Sequence, residues 1–235
     1  MERQFEIQIE KLRTRLIKMC SLVDEQVELA LKAIDEENTE LADLVIERDT
    51  KVDKYDVKIE KICQKIFALS QPVAMDLRLI MSALTIDTNL ERIGDLAVNL
   101  AENVRVLGKK PDFFNKTHIP EMSVTCREMI KNAIDAFIEG DAKLAQKVIA
   151  TDDKVDEFNA KNHSILKEVM KQKPENVEPG VALLVISRHL ERLGDHATNI
   201  AEDVYFIVEA QMIKHKYEKF LFTEEEESDE DVGMD

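Results

Sequence analysis

The chain has no tryptophan, and aromatic residues make up only 5% of its 235 residues. Glycine and proline are also scarce, with six and five residues. A protein with many β-strands needs frequent turns and favours aromatic residues, so this composition argues against a large sheet. Hydrophobic residues nevertheless reach 44%, which is enough for a substantial core. Long helices with few connections are the architecture that fits best.

Other absences restrict the cellular location. The three cysteines, Cys20, Cys63 and Cys126, are isolated and form no CxxC pair, as is typical of a reduced, cytosolic chain. The N-terminus has no hydrophobic signal segment, and no run of about 18 apolar residues occurs anywhere. We therefore expect a cytoplasmic protein without a membrane span.

The formal net charge is -16. Half of this charge comes from Thr223–Asp235, a segment with eight acids and no base. We expect residues 220–235 to be a disordered acidic tail, since they offer little to bury. The rest of the chain is acidic as well, which disfavours nucleic acid as a partner because duplex binding depends on Lys and Arg contacts. Free phosphate would need a bridging cation to bind such a surface.

Apolar residues recur three and four positions apart from Phe5 to Ile34, a spacing that predicts a long amphipathic helix. Breaks near residues 37–39, 70–72, 108–120, 140–141 and 173–179 divide the remainder into five more helices. The short loops favour antiparallel neighbours. The predicted fold is all-α, with two tandem antiparallel three-helix bundles at residues 1–107 and 121–219, joined by a linker at 108–120.

The two predicted bundles are related by internal duplication. LERIGDLAVNLAENV at 90–104 and LERLGDHATNIAEDV at 190–204 are identical at ten of fifteen positions. LADLVIERDTKVD at 41–53 and LAQKVIATDDKVD at 144–156 match at eight of thirteen. Because the two matches fall in different helices, the repeat covers the bundle and not a single motif.

The repeated polar residues are mostly carboxylates spaced four apart, which places each pair on one helix face. They are Asp49, Asp53, Glu91 and Asp95 in the first half, and Asp152, Asp156, Glu191 and Asp195 in the second. Asn99 and Asn199 extend the same faces. A helical wheel of 90–104 places this polar stripe roughly opposite the apolar stripe, which predicts an outward-facing surface.

Antiparallel pairing should bring these carboxylates to one height. Asp49 with Asp95 and Asp53 with Glu91 both sum to 144, which places the turn at residue 72. The equivalent pairs of the second half sum to 347 and place their turn at Lys173-Pro174. Four clustered carboxylates repel one another, and a bound divalent or iron cation would compensate, because carboxylate and amide oxygens are hard ligands. The alternative is an ordinary solvated helix surface, partly neutralised by Arg92 and Arg192.

The motifs ERIGDLAVNLAE and ERLGDHATNIAE, together with QPVAMDLR at 71–78, resemble the PhoU family of phosphate-signalling proteins over about residues 5–219. The resemblance implies a non-enzymatic cytoplasmic regulator that lowers high-affinity phosphate uptake and represses the phosphate-starvation response. It also implies contacts with the ATPase of a phosphate ABC transporter and with a phosphate-sensing histidine kinase, metal at the paired E(D)xxxD faces, and a homodimer. The implied metal ligands are the eight carboxylates above, with Asn99 and Asn199 as weaker candidates.

Two alternatives remain open. A metal-free helical adapter would use the repeated acids to dock basic partners. A di-iron carboxylate enzyme or iron store is disfavoured, because such bundles direct Glu-x-x-His motifs inward and none occurs at the five histidines.

Overall fold

The computed structural model describes residues 2–213. This part of the chain consists of six long α-helices and two single 3-10 turns, with no strand. The helices are α1 (Glu2–Glu36), α2 (Thr39–Leu69), α3 (Ala74–Leu107), α4 (Ile119–Glu139), α5 (Ala142–Gln172) and α6 (Val177–Glu209). The expected all-α class is confirmed. The predicted disordered tail lies outside the described residues, as do residues 214–219 of the predicted second bundle.

Helices α1, α2 and α3 pack together as one bundle, and α4, α5 and α6 pack as a second. The predicted pair of three-helix bundles is confirmed. The bundles join mainly where α3 packs along α6, and buried side chains of both halves form one continuous core. The long apolar stripes supply this core, and burying it is the main stabilising contribution.

The helix ends repeat between the halves. Asn38 and Asp141, 103 residues apart, cap α2 and α5 with side-chain oxygens that accept bonds from the second and third following backbone amides. Such caps satisfy donors that have no partner within the helix. The short turns after α2 and α5 then return the chain antiparallel, so residues near the middle of α2 and α3 lie at the same height.

One ion-pair group joins α4 to α1 across the two bundles. Arg127 pairs with both Asp24 and Glu28, and its Nη2 lies 3.3 Å from Asp24 Oδ2 and 2.9 Å from Glu28 Oε2. The Asp24 and Arg127 side chains are 31% and 24% exposed, so solvent screens this pair only in part.

None of the helices among residues 2–213 combines the length and the apolar character needed to cross a membrane.

Candidate metal centre

The second bundle brings three of its four candidate carboxylates to one point. Oxygen atoms of Asp156 on α5 and of Glu191 and Asp195 on α6 all lie within 4.8 Å of one another. Among residues 2–213 this is the single set of three acidic, His or Cys groups that meets this distance. Carboxylate oxygens so close together form a hard, anionic donor set of the kind that Mg²⁺, Mn²⁺ or Fe²⁺ accepts.

Asp152 completes this group, which we call the second cluster. Burial and, after it, the charges of Asp195 and Asp156 together raise the pKa of Asp152 to about 6. Burial also raises the pKa of Glu191, and the charge of Asp195 is the next cause. Burial likewise raises the pKa of Asp195, and there the charge of Asp156 is the next cause. These shifts show that the negative charges are mutually unfavourable, which is the condition that a bound cation relieves.

The first cluster, formed by Asp49, Asp53, Glu91 and Asp95, has the same helix positions but different side-chain partners. Arg92 lies 3.3 Å from Glu91 and 3.1 Å from Asp95, so it neutralises part of the charge. In the second cluster, Arg188 pairs with Glu191 at 2.6 Å. Asp156 and Asp195 form no ion pair with any described residue. The second cluster is therefore the more open to a cation.

Asp49 has a neutral partner as well. The amide nitrogen of buried Gln26 donates to Asp49 Oδ1 at 2.9 Å. Burial raises the pKa of Asp49, and this hydrogen bond opposes the shift. The equivalent of Gln26 in the second bundle is Met129, which has no such donor. Sequence reasoning did not single out Gln26, although a Gln inside the apolar surface of α1 was a visible exception.

A glycine in each ERxGD motif lets the neighbouring helix approach. A Cβ on Gly94 would lie 3.5 Å from Asp49 Oδ1, and one on Gly194 would lie 3.5 Å from Asp152 Oδ1. The added Cβ would also contact the valine three residues after each Asp, at 3.4 Å from Val52 and 3.3 Å from Val155. The glycines thus make room for the first carboxylate of each cluster.

The carboxylates are less exposed than the helical wheel indicated. Asp49, Glu91, Asp95, Asp152 and Glu191 are half-buried, because the adjacent helix covers part of each side chain. Asp53, Asp156 and Asp195 are exposed. Each cluster is therefore a shallow site at a helix–helix groove, with one side open to solvent.

The two candidate asparagines are placed less favourably. The amide of Asn199 donates to Asn89 Oδ1 at 3.2 Å, across the interface between α6 and α3. Asn89 Oδ1 also lies 2.9 Å from His196 Nδ1. Asn99 is half-buried on α3, and its backbone carbonyl accepts a bond from Asn103. A ligand role for Asn99 and Asn199 stays a prediction.

Three further acids extend the first cluster, and sequence reasoning missed them. Asp87 is 1% exposed, and it shares a hydrogen bond with Asp56. Burial and, after it, the charges of Asp56 and Glu60 together raise the pKa of Asp87 to about 8. The spacing could have revealed them, because Asp87, Glu91 and Asp95 are four apart. The second bundle has Ser187 in place of Asp87 and Asn159 in place of Asp56, and these two side chains form a neutral hydrogen bond of 2.9 Å.

The family model described as the PhoU domain matches residues 16–104 and again 119–204. The chain belongs to the PhoU family. Both matched segments contain a complete set of four candidate carboxylates, so the duplication of the site follows the duplication of the domain.

Curated relatives are similar along almost their whole length. The chain is 37% identical to the phosphate-specific transport system accessory protein PhoU homolog of Aquifex aeolicus over 90% of this chain and 96% of that protein. It is 32% identical to PhoU homolog 1 of Thermotoga maritima over 89% and 91% of the two chains. These PhoU proteins are named as accessory proteins, in agreement with the expectation that this family member is not an enzyme.

Solved structures of the family have the same fold. The crystal structure of PhoU from Pseudomonas aeruginosa superposes with a TM-score of 0.84 at 33% identity, covering 88% of this chain and 100% of that one. The phosphate transport system regulatory protein PhoU from Streptococcus pneumoniae gives 0.77 at 25% identity, covering 88% and 98%.

Proposed function

We propose that this PhoU protein is a cytoplasmic accessory protein of a phosphate transport system that restrains high-affinity phosphate uptake and the phosphate-starvation response. The names of its relatives support the accessory role in phosphate transport. It acts through protein contacts, with the transporter's ATPase and a phosphate-sensing histidine kinase as partners, and it binds metal at its two acidic clusters.

The convergence of Asp156, Glu191 and Asp195 within 4.8 Å is the observation that carries the metal proposal. Oxygen ligands on two helices hold these helices at a fixed separation once a hard cation neutralises them. Gly194 leaves room for the Asp152 carboxylate beside α6, where Asp152 is available as a fourth ligand. With a cation bound, the second cluster presents a more rigid and less negative surface between α5 and α6. Partner proteins dock on this surface, so their binding depends on the metal.

Metal binding is tested by titrating chelator-treated protein with Mn²⁺ and Fe²⁺ under anaerobic conditions, with calorimetry and elemental analysis as readouts. Asp195→Asn should weaken binding at the second cluster by at least tenfold, because it removes one of three converging charges, and tenfold is about 1.4 kcal/mol. Asp153→Asn is the matched control, since Asp153 is an exposed acid on α5 outside the converging set and its replacement removes the same charge. Equal weakening by both variants, or no metal in the parent protein, would favour the metal-free adapter.

The partner contacts need a separate test. The tagged chain is used to capture the ATPase subunit and the kinase from phosphate-replete cells, before and after chelation. We expect both proteins in the eluate and less of each after chelation, with recovery when Mn²⁺ is returned. If chelation does not change the amount of ATPase and kinase captured, partner binding does not depend on the metal. Light scattering of the same preparation tests the homodimer that the family resemblance implies.

A further inference from the structure

Helix α2 carries a second charged stripe that the acidic clusters do not use. Five exposed lysines recur at alternating spacings of three and four residues, which places them along one side of the helix: Lys51, Lys54, Lys58, Lys61 and Lys65. We call them the lysine stripe. The acids of α2, from Asp49 to Glu60, lie on the side facing α3, roughly 150° around the helix by its 3.6-residue period. The stripe lies on the side facing α1.

Helix α1 adds to this basic surface. Lys18 lines a groove of about 410 Å³ between α1 and α2, together with Lys51, Lys54 and Lys58. Arg15 reaches across the same groove, where its guanidinium donates to the Lys58 carbonyl at 2.9 Å. Lys11 continues the basic side one turn earlier on α1. Eight cationic side chains therefore lie along the α1–α2 surface of an acidic protein.

These cationic side chains have no acidic partner among residues 2–213, although Lys58 Nζ lies 4.8 Å from the centroid of the Tyr55 ring. None of the five lysines of the stripe forms an ion pair with a described residue. The one acid lining the groove, Glu25, pairs with Arg48. Unpaired like charges along one groove repel each other, so this surface favours an anionic occupant.

The second bundle lacks an equivalent surface. At the positions matching Lys54, Lys61 and Lys65, it has Glu157, Ser164 and Glu168. Glu157 and Glu168 pair with Lys161 and Lys171, both at 2.6 Å. The stripe is thus specific to the first half and does not follow from the shared helix pattern.

The chain contains a segment of matching charge. Thr223–Asp235 has eight acids and no base. The two acidic clusters repel this segment, whereas the α1–α2 surface, with eight cationic side chains, attracts it. We propose that the acidic segment Thr223–Asp235 docks on the lysine stripe of the same chain.

The geometry allows this contact. The C-terminal part of α6 comes near α1, since Val204, Ile207 and Val208 line one pocket with Arg13 and Ile17. The groove that holds the stripe lies about 110° further around α1 by its 3.6-residue period, and a helix is about 10–12 Å across. The described structure ends at Ile213, and the ten residues from there to Thr223 reach up to about 33 Å when extended. The acidic segment can therefore reach the groove without any rearrangement of the bundles.

The proposal is tested by measuring how fast each lysine is acetylated, with mass spectrometry of the full chain and of a chain truncated after Phe222. In the full chain at low salt, Lys51, Lys54 and Lys58 should react severalfold more slowly than in the truncated chain. Lys154 and Lys161, which match Lys51 and Lys58 in the second bundle, are internal controls whose rates should not change. The protection should vanish at about 1 M salt, where the screening length falls to about 3 Å.

Equal acetylation rates in the full and truncated chains would overturn the proposal. Protection that grows with protein concentration would overturn it too, because the occupant would then be the tail of a second copy. Zero-length carbodiimide crosslinking supplies a second measurement. It should join Glu224–Glu227 to the groove lysines of the same chain, and K54Q/K58Q should remove most of these crosslinks. Vesicles rich in phosphatidylglycerol should bind the truncated chain more tightly than the full chain, and equal binding would contradict a groove covered by the tail.

Discussion

Arg92 Nη1 lies 3.1 Å from Asp95 Oδ2, whereas Arg192, at the matching position of the second bundle, forms no ion pair with a residue that the structure describes. Arg92 thus forms ion pairs with two acids of the first cluster, whereas in the second cluster Arg188 pairs with Glu191 alone and Arg192 acts on Asp195 only through its nearby charge. Two sites with the same acids should therefore differ in their affinity for cations.

Replacing Arg92 by Gln should strengthen Mn²⁺ binding at the first cluster by a few fold, because it removes a competing cation. The pair is half exposed, so the gain is limited to about 1 kcal/mol. Calorimetry in a D156N/D195N background isolates the first cluster. Arg192→Gln is the matched control and should leave the same titration unchanged. An equal effect of both variants would show that only the overall charge matters.

Asp87→Asn should change how stability depends on pH. The pKa of Asp87 is about 8 in the folded protein, above its ordinary value of 3.8. Between pH 4 and pH 8, the unfolded chain releases a proton that the folded chain retains, so the free energy of unfolding falls as pH rises. Asn at this position should remove that fall, by roughly 2–5 kcal/mol across the window.

Urea unfolding of metal-free protein at several pH values measures this effect. Asp112→Asn, at an exposed position in the connection before α4, is the control and should leave the slope unchanged. A parent protein whose stability is flat from pH 4 to pH 8 would show that Asp87 ionises normally.

Gly140 and Glu37 end α4 and α1 at matching positions, and both have positive φ angles, 68° and 54°. Gly140→Ala should lower the free energy of unfolding by about 1 kcal/mol, because a side chain disfavours the left-handed region. No atom lies within 4 Å of the added Cβ, so the cost is in the backbone alone.

The reverse change at Glu37 is the natural comparison. Glu37→Gly should relieve the same strain, but it also removes the bond from the Lys110 amide to Glu37 Oε1 at 3.0 Å. The net effect should be smaller than at Gly140 and stabilising. Chemical denaturation of both variants measures the two values, and a destabilised Glu37→Gly would show that the Lys110 bond outweighs the backbone effect.

Arg127 and Asp24 should be energetically coupled. A double-mutant cycle of Arg127→Met and Asp24→Asn should give a coupling energy of about 1–2 kcal/mol, since both side chains are largely shielded from solvent. The Arg48–Glu25 pair, within one bundle and more exposed, is the control cycle and should give less than about 0.5 kcal/mol. Equal coupling energies in both cycles would mean that the ion pair between the bundles is no stronger than an ordinary surface ion pair.

Sequence periodicity was sufficient to predict the six helices, the duplication and the relative heights of the carboxylates, because these depend on helix pitch and turn position alone. It could not predict that Arg92 turns toward Asp95 while Arg192 does not, because such choices depend on side-chain conformers. Nor could it predict the burial of Asp87, which requires knowing how closely α2 and α3 approach. The helical wheel overestimated exposure, since it contains no neighbouring helix to cover Asp49 or Asp152.

Asp24 and Arg127 also bear on how such a protein could arise. They occupy the same position in the two repeats, 103 residues apart, and they meet each other. If two identical copies of an ancestral half-length chain associated in this way, the position would face itself, and an acid there would oppose an acid. Fusion of the copies into one gene lets the two positions diverge, one to Asp and the other to Arg. The ion pair thus lies where a symmetric pair of identical half-length chains would bring the same residue against itself, and gene duplication is what allows the two residues to differ.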